Sequence, residues 1–135
     1  MSADRALGAA IRAAAMADAG VRAVLGDPAR AYDDHPPDPV FPYATFGRFE
    51  SRPANAAESD ALEHVVTLHV WSRYGGRAEA LDALNALRAA LHNQDVSVAG
   101  RRLVFLYATY LDAFRAGDGV TTHGVLRLRA LTEPE

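Results

Sequence analysis

No cysteine occurs in the 135 residues, so disulfides and thiol chemistry are both excluded. Lysine is missing as well: all fourteen basic residues are arginine. A bias toward GC-rich codons accounts for the arginines together with the many alanines, and an interface rich in bidentate ion pairs is the competing reading. Neither a G-x-G-x-x-G nor a G-x-x-x-x-G-K-[ST] phosphate cradle is present, and no G-x-S-x-G elbow marks a nucleophilic serine. The chain has no run of eighteen apolar residues and no basic-then-apolar leader, so the expectation is no membrane span, no secretory signal and synthesis in the cytosol. The net charge of -3, with acids and arginines interspersed, argues against a free-standing nucleic-acid binder, which needs a basic patch.

A mass of 14.5 kDa fits one domain, residues 1–135, able to bury about two thirds of the surface its unfolded chain exposes. The hydrophobic share of 50% overstates the core, because alanine adds helix propensity but little buried area. Oligomerisation would help such a chain.

The opening "SADRALGAAIRAAAMADAG" predicts a helix with Ser2 as N-cap, Asp4 in the first turn, and Leu7, Ile11, Ala14, Ala17 and Val21 on one face. Gly20 is expected to end or kink it, and Gly26 to stop the short turn that follows. Residues 30–42 hold four prolines in "RAYDDHPPDPVFP" and read as an extended surface strap pinned by Tyr32, Val40 and Phe41. "YATFGRFES" reads as a strand, and residues 51–62 as a long flexible loop that a partner would order. In "HVVTLHVWSR", Val66, Leu68 and Val70 alternate with Thr67, His69, Trp71 and Arg73, a strand with one buried face. At ~3.3 Å per residue its ten residues span roughly 33 Å, so its end is expected to reach beyond its own domain.

Gly75 and Gly76 turn the chain into a helix striped by Ala80, Leu84, Leu87 and Leu91, with Glu79 near its start and Arg88 and His92 near its end. "VSVAGRRLVFLYATYLDAF" reads as a short strand, a turn and a long strand that is apolar on both faces and therefore central. In the closing strand Leu126 and Leu128 oppose Val125, Arg127 and Arg129. The predicted fold is α+β in the order α-β-β-α-β-β, an antiparallel sheet with two helices on one face. No residue-level repeat relates the two halves.

Five histidines and the "DDHPPD" cluster of Asp33, Asp34, His35 and Asp38 raise a metal site. A solvated proline-rich strap explains that cluster more simply. His64 and His69 lie five apart in one strand, on opposite faces, and cannot ligate one ion. No cofactor or catalytic residue is expected. Trp71 and Arg73 either close the edge of a small core or anchor a neighbouring subunit, since tryptophan and arginine are favoured there. Arg127 and Arg129, on one face of a late strand expected at the sheet edge, either block aggregation or dock on an acidic neighbour.

The ordered string "LGDPARAYDDHPPDPVFPYATFG", with Leu25-Gly26, Tyr32-Asp33, Pro37, Pro42-Tyr43 and Gly47, resembles the tail-completion or tail-terminator proteins of long-tailed bacteriophages and bacterial gene transfer agents. "LHVWSRYGGRAEALDALNALRAALH" continues the likeness, which spans nearly the whole chain. It implies a homohexameric ring at the head-tail junction of a particle assembled in the bacterial cytoplasm. That ring would end the tail tube and join it to the head-side connector, or stopper, without catalysis or cofactor. DNA would pass its lumen without specific binding, which an acidic or neutral lining permits. His69, Trp71, Arg73, Arg127 and Arg129 would then lie at the subunit interface. A ligand-binding or regulatory α+β module, dimeric and framing a pocket with its strap and first helix, is the alternative.

Overall fold

A computed structural model describes residues 1–54 and 60–135. Ser2 begins the first helix, α1 (Ala3–Ala17): its hydroxyl accepts from the Arg5 N–H at 3.3 Å, and Asp4 faces the positive end of the helix dipole. Leu7 and Ile11 are fully buried, as their spacing demands, whereas Ala17 is exposed. The break falls at Asp18 rather than Gly20. The Asp18 N–H bonds to the Ala15 carbonyl and closes α1, and its carboxylate accepts from the Val21 N–H at 3.0 Å and opens α2 (Ala19–Leu25). The described residues therefore carry three helices, not the two expected. Gly26 ends α2 at a φ of 90°, a conformation that disfavours any side chain.

The remaining elements are β1 (Ala31–Tyr32), β2 (Tyr43–Pro53), β3 (Leu62–Ser72), α3 (Ala78–Leu91), β4 (Arg101–Arg115) and β5 (Thr122–Pro134). The strands form one sheet in the order β1-β2-β3-β5-β4, antiparallel except for the two-residue pairing of β1 with β2. The α+β class is as expected; several placements within it are not. β3 pairs with β2 on one side and β5 on the other from Leu62 to Trp71, and Ser72 still faces Thr122, so its end does not reach beyond the domain. β4 is an edge strand, not the centre, and β5 is internal, so Arg127 and Arg129 do not sit on an edge strand. Residues 96–98 form no strand; Val96 and Val98 are buried core side chains in an irregular segment.

The ladder between β2 and β3 continues to Pro53 and Leu62, so Ser51, Arg52, Pro53 and Leu62 of the expected 51–62 loop are paired strand; residues 55–59 lie outside the described residues. The strap at 30–42 contributes β1 to the sheet edge, and Val40, expected to pin it, is 64% exposed. Tyr32 and Phe41 do pack, each against Tyr43, with ring centroids 6.3 and 5.1 Å away.

All three helices contribute to the core on one face of the sheet. Leu84 of α3 lies over Gly124 of β5, where a Cβ would come within 2.8 Å of the leucine Cδ1. Gly8 of α1 lies over Phe46 and Phe49 of β2, at 3.5 and 3.4 Å from their rings by the same measure. The α3 stripe of Ala80, Leu84, Leu87 and Leu91 is fully buried against Val66, Leu68, Val70, Leu126 and Leu128.

Candidate functional site

Side chains on directly paired residues share a face, so the ladder registers assign every row of the open side. One row runs Tyr43, Trp71, His123 and Phe114; the next runs Thr45, His69, Val125 and Asp112. Thr67, Arg127 and Tyr110 make a third, and Val65, Arg129 and Tyr107 a fourth. This face carries four of the five residues singled out from the sequence, His69, Trp71, Arg127 and Arg129, together with exposed aromatics on β4. Tyr107, Tyr110 and Phe114 are 40%, 45% and 41% exposed.

At the centre is an aromatic stack. The Trp71 indole is half-buried, donates its N–H to the Thr45 hydroxyl at 3.1 Å, and lies parallel to the His123 ring with centroids 4.1 Å apart. Phe114 closes on the other side of His123 at 4.9 Å. His69 Nδ1 and His123 Nε2 are 2.7 Å apart, so one must donate and the other accept. Burial lowers both imidazole pKa values, and the His69 charge lowers that of His123 further, while Asp112 opposes. Gly47 makes room for this pair, because a Cβ there would collide with His69 Nε2.

Arg73 lies just past β3. Its guanidinium sits 4.4 Å over the Phe41 ring of the strap, and its Nε donates to the Thr121 hydroxyl at 3.3 Å. Thr121 in turn belongs to a turn built by Asp118, whose carboxylate accepts from the N–H groups of Val120 and Thr121 and from the Thr121 hydroxyl. Those bonds, those to Thr121 first, lower the Asp118 pKa to about 2. Arg127 stands 4.6 Å over Tyr110. Arg129 donates to Glu63 at 2.9 Å, which holds the Glu63 carboxyl below its ordinary value, and lies 5.4 Å over Phe105.

His64 points into the core, away from His69, as the alternation requires. Sequence reasoning missed what surrounds it. Its Nδ1 lies 2.7 Å from the Ser51 hydroxyl, which donates to Asp4 at 2.7 Å, and its Nε2 lies 2.8 Å from the Thr132 hydroxyl, itself an acceptor from Arg101. With Ser51 committed to Asp4, Nδ1 carries the proton and Nε2 accepts from Thr132. The imidazole thus donates to the serine instead of taking its proton, the reverse of a nucleophilic triad. Burial lowers the His64 pKa, with Arg101 adding to the effect and Asp4 opposing it. No signal short of the fold joins Asp4 to Ser51, which are 47 positions apart.

In the strap, His35 turns its ring to Tyr43, 5.5 Å away, and its Nδ1 lies 2.8 Å from the Pro36 carbonyl. Asp33, Asp34 and Asp38 are exposed and have no ion-pair partner among the described residues. Among those residues no group of three or more histidine, aspartate or glutamate side chains is placed to hold a metal. A groove of about 430 Å³ opens between α1 and the sheet edge, lined by Asp4, Gly8 and Arg12 of the helix, Asp33 of the strap, and Phe46 and Phe49.

Residues 9–133 match the family model described as "Tail completion protein gp17". The chain belongs to the tail completion protein gp17 family. Its fold is also that of a chain in a solved structure titled "Virion of native gene transfer agent (GTA) particle", with a TM-score of 0.89, 28% identity, and 98% of each chain covered. No curated protein matches it. As a tail completion protein it is a structural component of a virion tail, a role that implies no catalysis. The likeness read from residues 25–47 and 68–92 is therefore confirmed at the level of family.

Proposed function

We propose that this tail completion protein forms a hexameric ring that ends the tail tube and joins it to the head-side connector, at the head-tail junction of a phage or gene transfer agent. The observation that carries the reading is the uncovered sheet face. A small core packs three helices on one side and leaves Tyr107, Tyr110 and Phe114 in water on the other, beside Arg127, which lies over the Tyr110 ring, and Arg129, which donates to Glu63 and lies over Phe105. Rigid aromatics and arginines grouped this way are what a buried interface uses. The likeness to a chain of a gene transfer agent particle, over 98% of both chains, supports the same setting.

On this reading His69, Trp71, Arg73, Arg127 and Arg129 belong to the surface between subunits, and DNA passes the lumen without specific contact. A ring needs two different patches on each subunit, whose rotation closes. Deleting the gene is expected to give particles with overlong or unjoined tails; tails of normal length with full infectivity would end the proposal. The groove between α1 and the strap favours a second reading, a small-ligand module. It predicts a dimer and a thermal shift with a small molecule, where the first predicts a six-fold ring in negative stain.

A further inference from the structure

The two edges of the sheet differ in charge and in shape. At the β1 edge the strap presents Asp33, Asp34 and Asp38 among exposed prolines, without a cationic partner of their own among the described residues. At the opposite edge no strand of the described residues pairs with the outer side of β4. The segment after α3 covers part of it, with the Asn93 N–H bonded to the Leu106 carbonyl and the Ala108 N–H bonded to His92 Nδ1, at 2.7 and 2.9 Å. Beyond Ala108 that edge carries exposed Tyr110, Phe114 and Arg115, with Arg127 of β5 lying over Tyr110. Asp112, the acid in this stretch, accepts from the Tyr110 hydroxyl at 3.1 Å.

The ladder registers put the two edges level. The strap leaves β1 after Tyr32, which pairs with Thr45, in the row that ends at Asp112. It rejoins the sheet at Tyr43, in the row that ends at Phe114. Rotation about a ring axis leaves the height along that axis unchanged. Two patches of one chain can therefore meet across a cyclic interface only if they lie at the same height, and with strands running along the axis these do.

We propose that the contact closing the ring is edge to edge: the acidic strap of one subunit, through Asp34 and Asp38, seats on Tyr110, Phe114, Arg115 and Arg127 of the next copy. The carboxylates find guanidinium groups, and the strap prolines cover the exposed rings. The contact is heterologous, as a ring requires, and rests on the ring reading given above. Its ion pairs lie near the surface, so assembly weakens as salt rises.

The absence of cysteine makes the test clean. Pro36→Cys combined with Thr109→Cys leaves Asp34, Asp38, Tyr110, Phe114, Arg115 and Arg127 in place. In rings formed by the purified protein, alone or with tail tube protein, mild oxidation is expected to link subunits into a ladder ending at the ring's own copy number. Each single variant is expected to give no ladder. Arg127→Glu, at an exposed site, is expected to abolish rings while the circular dichroism spectrum is unchanged, and adding Asp34→Arg is expected to restore them. Wild-type rings with no ladder, and an Arg127→Glu variant that still assembles, would overturn the edge contact and leave the ring standing. A wild-type chain that makes no ring, with or without tube protein, would overturn both.

Discussion

His64, buried in the core, makes stability depend on pH. Its folded-state pKa lies below the ordinary value of 6.5, so beneath that value the unfolded chain binds more protons than the folded one. Stability is thus complete above about pH 6.5 and falls as pH drops below it. His69 and His123 are shifted in the same direction and add to the slope. Urea midpoints are expected to drop between pH 8 and pH 5, and His64→Gln to flatten part of that drop while costing about 1–3 kcal/mol at neutral pH for the bond to the buried Thr132 hydroxyl that it disturbs. A midpoint independent of pH would mean that the imidazole is solvated. Trp71 separates its two readings in the same way. Trp71→Ala is expected to lose ring assembly while the subunit keeps its circular dichroism spectrum and melts cooperatively. A variant that unfolds outright would make the indole, with its bond to Thr45, part of the subunit's own core.

At the scale of elements, α3 on the central strands carries the stability. Leu84 is fully buried and faces Gly124, so Leu84→Ala is expected to cost roughly 2–5 kcal/mol and Gly124→Ala about 1–3 kcal/mol by pushing the helix outward. Both should lower the denaturant midpoint with an unchanged slope; a neutral Gly124→Ala would show that α3 rides over β5 with slack. The α3 stripe and the β3 alternation were legible because each depends on neighbours within one element. Strand order was not, because it is set by which surfaces pack. β4 looked central from its apolar residues on both faces, yet Tyr107, Tyr110 and Phe114 stay in water. The break at Asp18 was hidden for a different reason: a capping aspartate that closes one helix and opens the next resembles a helix interior until its bond to Val21 is seen. Of the candidate site, the facing of His69, Trp71, Arg127 and Arg129 could be read from period two, whereas the pairing of His69 with His123, 54 positions away, could not.

The whole molecule is lopsided, with three helices on one side of the sheet and none of the described helices on the other. Such a subunit hides its core and still exposes a broad aromatic face, and on the ring proposal it needs assembly to cover that face. β3, hydrogen-bonded on both flanks along its length, has no comparable need. Its amide protons can trade with solvent only when the sheet itself opens, so deuterium should enter β3 last and report global unfolding. The outward amides of β4 past Ala108 should exchange fast in the free subunit and slow sharply in the assembled tail, a clock for assembly written on one strand.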